Sequence, residues 1–273
     1  MARGEREGEA PPAPEALAVP VLDSHCHLDI VGGDVRAQLD AARAVGVDTV
    51  VQIGIDVASS QLSARIAAEH SSLWAAVALH PNEAGRGAAT PDALAEIERL
   101  AALPQVKAVG ETGLDHFRTA EDGRRPQEES FRAHIAIAKA TDTALVIHDR
   151  DAHDDVLRVL DEEGAPGRVV FHCFSGDVAM ARVCADRGYW MSFAGNVTFK
   201  NAGDLREAAS VAPAELLLVE TDAPFLTPMP YRGRPNASYL IPLTMRALAE
   251  VRAADLDELC AAVADNGRRA FAL

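Results

Sequence analysis

Val19-Pro20-Val21-Leu22-Asp23-Ser24-His25-Cys26-His27 carries the chain from an apolar run into two imidazoles. The run Val19–Leu22 reads as a first strand. Alternation of side chains along a strand puts His25 and His27 on one face and Cys26 on the other. Two imidazoles side by side at a strand's end can grip one divalent cation. A doubly wound dinucleotide-binding sheet would carry GxGxxG after its first strand. This chain has HxH there instead, which turns the reading toward a different α/β architecture.

Seven further short apolar runs follow: Thr49–Ile53, Leu73–Leu79, Val106–Val109, Ala144–Ile147, Arg168–Phe171, Tyr189–Phe193 and Leu216–Val219. They lack strict alternation, as expected of parallel strands buried on both faces. Between them run helical stripes such as Val35, Leu39 and Ala42, or Phe131, Ile135 and Ala138. Thr90-Pro91 reads as an N-cap followed by proline in the first helical position. Eight strand–helix units predict a (β/α)8 TIM barrel, for which 273 residues is an ordinary length. Residues 1–18, rich in Ala, Glu, Pro and Arg, read as a mobile tail. Residues 19–273 read as one barrel domain.

The formal net charge of −15 excludes a protein that coats nucleic acid by bulk attraction. It leaves room for a phosphate ester held by local positive charge. Four scattered cysteines, Cys26, Cys173, Cys184 and Cys260, form no CxxC pair and predict reduced residues of a cytoplasmic protein. Cys26 and Cys173 are expected to face away from the flanking histidines into packing. No apolar run approaches the roughly 20 residues that span a bilayer, and the start lacks an apolar signal core. No membrane association and no obligate protein partner are expected.

Metal-binding residue types recur where the predicted strands stop. They are His25 and His27, Glu111, His148, His172 and Asp222. In a barrel the C-terminal strand ends converge on the face where active sites are built. Four histidines and two carboxylates exceed the needs of one tetrahedral ion and suit two ions bridged by a carboxylate. Glu111, midway round the barrel, is the expected bridge. His25, His27 and Asp222, from strands one and eight, should share one ion, and His148 with His172 should hold the other.

These residues sit in longer motifs: Asp23-Ser24-His25-Cys26-His27-Leu28-Asp29, Gly110-Glu111-Thr112-Gly113-Leu114-Asp115, Ile147-His148, Phe171-His172-Cys173-Phe174-Ser175-Gly176 and Glu220-Thr221-Asp222-Ala223-Pro224-Phe225-Leu226. Pro230-Tyr231-Arg232-Gly233 and Asn236 follow. In order and register, from Val21 to the C-terminus, they resemble the TatD family of metal-dependent hydrolases. The resemblance implies a (β/α)8 barrel, two divalent ions and deoxyribonuclease activity, often 3′–5′ exonucleolytic. Carried over position by position, it implies the same six ligands. Relatives that cleave C–N bonds often use a carboxylated lysine on strand four, where this chain has Glu111. Departures fall at the substrate rim: His80-Pro81-Asn82 lacks a second histidine, His116-Phe117 stands where tyrosine is usual, and Arg234-Pro235-Asn236-Ala237-Ser238 departs from a basic-Asn-Glu-Pro run.

The expected function is two-metal hydrolysis of phosphodiesters in DNA, with single-stranded DNA or 3′ ends as substrate. Mg2+, Mn2+ and Zn2+ are all admissible to mixed imidazole and carboxylate ligands. Asp222, Glu111 and Glu220 are the expected catalytic residues, Asp222 accepting a proton and Glu220 orienting a ligand or acting as a base. His80, Arg150 and Arg232 are the expected substrate contacts. His70, His116, His134 and His153 are expected to bind no metal. Two other readings fit the sequence: the same barrel acting on another ester or amide, such as a D-aminoacyl-tRNA, and a non-enzymatic, metal-stabilised binding protein.

Overall fold

The structure, a computed structural model, describes residues 8–273. Eight strands form one sheet in the order β1 to β8. They are β1 Val21–Cys26, β2 Val47–Ile53, β3 Leu73–Val77, β4 Val106–Asp115, β5 Ala144–Arg150, β6 Val169–Phe171, β7 Trp190–Phe193 and β8 Leu217–Val219. Helices lie between successive strands, and a parallel bridge joins Cys26 to Ala223, just beyond β8. The fold is therefore a (β/α)8 barrel.

Sequence and structure differ at strand ends in an instructive way. β1 begins at Val21 and runs through His25, and β4 and β5 continue through Glu111 and His148. The apolar runs stop before these polar residues, but the ladder does not. Thr112 pairs with Ile147, Gly113 with His148 and Asp115 with Arg150. The ladder bonds are made by backbone, so polar side chains can ride on it once they have buried partners.

By contact density the chain forms two compact units. Among the described residues the first comprises residues 8–51 and 176–267, the second residues 52–175 and 268–273. The first holds β1, β7, β8 and most of β2. Its core includes Val21, Val50, Met191, Phe193, Leu218, Met245 and Leu248, all buried. Ser24 on β1 shares a buried hydroxyl–hydroxyl hydrogen bond of 2.8 Å with Ser192 on β7. Cys26, on the opposite face from the histidines, is fully buried with its thiol toward the Val51 carbonyl. Cys173 is half-buried.

From Gly8 onward the segment expected as a mobile tail lies along this first unit. Arg234 donates to the carbonyl of Glu9, Tyr239 to that of Pro11, and the Leu17 N–H to that of Val45. Residues 1–7 of that segment lie outside the described residues.

The second unit holds β3 to β6 around Ile53, Val77, Val109, Leu145, Ile147, Phe131, Ile135 and Phe171. Burying such a side chain contributes roughly 1.5–3 kcal/mol relative to leaving it in water. Helix starts are fixed by capping: Asp56 and Ser59 form a capping box before Val57–Glu69. Thr90 accepts from the Ala93 N–H ahead of Pro91–Ala101. Among the described residues no helix is long and apolar enough to cross a membrane.

Candidate metal centre

In the first unit, Asp23, His25 and His27 occupy alternate positions and share one face of β1 and its continuation. Asp222 meets this face three residues past β8. Its Oδ1 lies 3.9 Å from His25 Nε2 and 3.6 Å from His27 Nε2. Those separations are too long for hydrogen bonds. They match the roughly 3.4 Å expected between neighbouring ligands of one ion bound at about 2.1 Å in tetrahedral geometry. The donor set fits a divalent cation, with two imidazoles and one carboxylate whose ligand atoms lie within 4.8 Å of one another.

Backbone clamps hold Asp222 in place. Its φ of +52° is in the left-handed region, which Asp tolerates better than most residues. Its N–H donates to the His25 carbonyl at 2.9 Å. Its neighbour Thr221 donates to both carboxylate oxygens of Asp23, through N–H at 2.9 Å and hydroxyl at 2.6 Å. Burial pushes the Asp23 carboxyl up to about 6, against the pull of these hydrogen bonds. Asn236, buried, donates to the carbonyls of Thr221 and Phe225 and closes the loop. Glu220 is fully buried, with an oxygen within 4.8 Å of a ring nitrogen of His25.

In the second unit a break in the β4–β5 register between Val109 and Thr112 aims Glu111. Glycine flanks this irregularity for steric reasons. A Cβ on Gly110 would come within 2.5 Å of the Val146 Cβ, and one on Gly113, at φ +134°, within 2.2 Å of the His148 carbonyl oxygen. Three imidazoles gather on one oxygen of Glu111. His172 Nε2 lies 2.9 Å from Oε2, His148 Nδ1 3.1 Å and His80 Nε2 3.7 Å. His172 Nε2 is also 3.4 Å from His148 Nδ1. Burial alone would raise the Glu111 carboxyl. The facing His80 and His172 rings, with hydrogen bonds from His148 and His172, hold it well below the ordinary carboxylate range.

The surrounding residues decide which ring nitrogen is available. His148 Nε2 lies 3.3 Å from Asp115 Oδ2, so that carboxylate can hold the Nε2 proton, and a bound ion would then take the place of the Nδ1 proton on the Glu111 side. Asp115 is in turn held by Asn82 and by the Arg118 N–H. His80 is arranged oppositely. Its Nδ1 accepts from the Asn82 N–H at 3.0 Å, so the neutral ring carries its proton on Nε2. Burial pushes that ring's pKa down to about 3, which keeps it neutral. His80 thus offers a donor at the cluster, although its position beside Glu111 and His148 would also suit a ligand. His134 Nε2 accepts from the Leu79 N–H at 3.0 Å while Nδ1 donates to the Ser130 carbonyl, fixing the strand end that presents His80.

The structure therefore brings His25, His27 and Asp222 together in one unit, and Glu111, His148 and His172 together in the other, with His80 beside them. Arg150 and Arg232 stand outside both clusters, each over an aromatic ring: Phe117 at 4.1 Å and Phe199 at 4.2 Å. Arg234 is engaged by backbone carbonyls. Asp115, Asn82, His134 and Asp23 are supporting residues to which sequence reasoning assigned no task. Spacing was the one available signal, since Asp115 closes the Gly110–Asp115 motif and Asp23 precedes His25 by two.

Comparison with known proteins shows a family and a fold. A family model described as "TatD related DNase" matches residues 22–272. An uncharacterized metal-dependent hydrolase, TatD, of Mycobacterium tuberculosis is 46% identical over 261 residues, covering 93% of this chain and 98% of its own. A second such hydrolase, YabD of Bacillus subtilis, is 35% identical over 254 residues, covering 92% and 98%. Among solved structures, the TatD homolog YJJV of Escherichia coli K12 superposes with a TM-score of 0.86 at 28% identity, over 93% of this chain and 98% of that one.

Proposed function

The chain belongs to the TatD-related DNase family and is a metal-dependent hydrolase; from that premise we propose that it removes nucleotides from the 3′ ends of single-stranded DNA, using two divalent ions (Mg2+, Mn2+ or Zn2+). The observation that carries the proposal is the pair of clusters, His25–His27–Asp222, whose ligand atoms lie within 4.8 Å of one another, and Glu111–His148–His172, whose ligand atoms lie 2.9 to 3.4 Å apart. When bound, such ions polarise the phosphoryl oxygen and lower the pKa of the attacking water.

The chain's own residues then have defined tasks. His25, His27 and Asp222 would hold one ion, and His148 and His172 with Glu111 the other. The Asp222 carboxylate accepts the proton that water gives up, and Glu220, buried beside His25, orients that ring. His80 donates its Nε2 proton to a non-bridging phosphate oxygen, a task matched to a ring whose Nδ1 is already occupied by a backbone N–H. Arg150 and Arg232 supply the local positive charge that a chain of net charge −15 otherwise lacks. The proposal is tested on a 5′-labelled single-stranded oligonucleotide. EDTA should abolish stepwise shortening from the 3′ end, and added Mn2+ or Mg2+ should restore it. Full cleavage in metal-free buffer, or turnover of a D-aminoacyl-tRNA in preference to the oligonucleotide, would refute it.

A further inference from the structure

Phe117 is the most exposed large apolar side chain among the described residues, with 61% of its surface open to solvent. It is not loosely placed. β4 ends at Asp115, whose Oδ1 accepts from the Arg118 N–H at 2.8 Å. The intervening His116 N–H donates to the Arg150 carbonyl at 2.9 Å. This two-sided tie fixes the turn that carries Phe117 against the end of β5. The guanidinium carbon of Arg150 then sits 4.1 Å from the centre of the Phe117 ring, covering that side of it with a cation.

Arg150 follows His148 by two residues on β5, so the two side chains leave the strand on the same face, roughly 7 Å apart along it. A planar, solvent-facing ring backed by a guanidinium therefore stands at the end of β5, on the strand that carries His148 two residues earlier. Hydrophobic burial does not explain an exposed phenylalanine here, and the guanidinium is held over the ring rather than in an ion pair.

We propose that Phe117, backed by Arg150, is a stacking platform for a nucleobase next to the scissile phosphodiester of single-stranded DNA. Every base has a π-face, so such a platform accepts any sequence but requires an unpaired base. It would make the enzyme selective for single-stranded ends, with the guanidinium leaning toward the adjacent phosphate. The inference rests on the nuclease reading and adds to it a residue that selects substrate without touching the reacting atoms.

The test compares wild type, Phe117→Ala, Phe117→Leu and Phe117→Trp on two single-stranded oligonucleotides in Mn2+. One carries a normal 3′-terminal nucleotide and the other an abasic one. The expected result is a KM roughly tenfold higher in Phe117→Ala for the normal end, a change under twofold for the abasic end, recovery in Phe117→Trp and none in Phe117→Leu. Equal effects on both ends, or no effect on either, would overturn the platform. A parallel assay follows a phosphorothioate-linked oligonucleotide ending in 2-aminopurine. Its fluorescence should be quenched on binding wild type and Phe117→Trp but not Phe117→Ala. Quenching of this probe, with no cleavage of the phosphodiester oligonucleotides in Mn2+, would refute the nuclease reading and leave the platform standing. Cleavage with equal quenching in Phe117→Ala would do the reverse.

Discussion

The two clusters are built by different physics. In the first unit the ligand atoms of His25, His27 and Asp222 stand 3.6 to 3.9 Å apart, outside hydrogen-bond range, and backbone clamps from Asp23, Thr221 and Asn236 keep them there. In the second unit, imidazoles close to hydrogen-bond distance on one buried carboxylate, with separations of 2.9 and 3.1 Å. One cluster is spaced by the scaffold, and the other is held together by its own charge. The first should therefore keep its shape when a ligand is truncated, whereas the second should lose its organisation with Glu111.

Replacing Glu111 with Ala should give the largest effect. A fall of at least about a thousandfold in kcat/KM is expected, together with loss of the ion held by the second unit. Two ions persisting in that variant, measured by metal analysis, would show that the second cluster holds its ion without Glu111 and would break the contrast.

The second effect is on stability. His134 is buried and neutral, and burial pushes its pKa from 6.5 down to about 4. The unfolded chain binds a proton that the folded ring refuses. The stabilisation is thus complete above pH 6.5 and lost as pH falls through about 4, amounting to on the order of 3 kcal/mol. Urea unfolding at pH 7 and pH 4.5 should show that loss, and His134→Gln should flatten the difference. An unchanged slope in the variant would place the pH dependence elsewhere.

Smaller effects come from the residues that orient imidazoles. Asp115→Asn removes the charge that holds the His148 Nε2 proton, and a loss of about 10- to 100-fold in metal affinity is expected. Calorimetric Mn2+ titration would detect it, and unchanged affinity would deny Asp115 its orienting task. His80→Gln should be smallest, raising KM a few-fold while leaving metal content at the wild-type value. A missing ion in that variant would make His80 a ligand, and the two clusters would then differ in ligand number as well as in spacing.

Much of this was legible in the sequence because it depends on burial and periodicity. The eight apolar runs mark eight strands, and His25, His27, Glu111, His148, His172 and Asp222 were picked out by their placement on or just beyond the ends of those strands. Strand ends were less legible. Glu111, Thr112 and Asp115, and residues 148–150, break the apolar pattern, yet their backbone stays in the ladder. The tasks of Asn82 and Asp115 were not legible at all, since both depend on nitrogen-level contacts with histidines. For Asp115 and His148 the partners are 33 residues apart. Asn82 acts on His80 through a backbone N–H, which any residue other than proline could supply. The segment from Gly8 to Pro20 has the composition of a tail, but the carbonyls of Glu9 and Pro11 accept from Arg234 and Tyr239, more than 200 positions away.

The central claim is that each unit provides the cage for one divalent ion. Native mass spectrometry of Mn2+-loaded wild type, His27→Ala and His148→Ala tests it most directly. The account predicts two ions in wild type and one in each variant, with the remaining ion in the untouched cluster. A single ion in wild type, or two ions persisting in both variants, would contradict it.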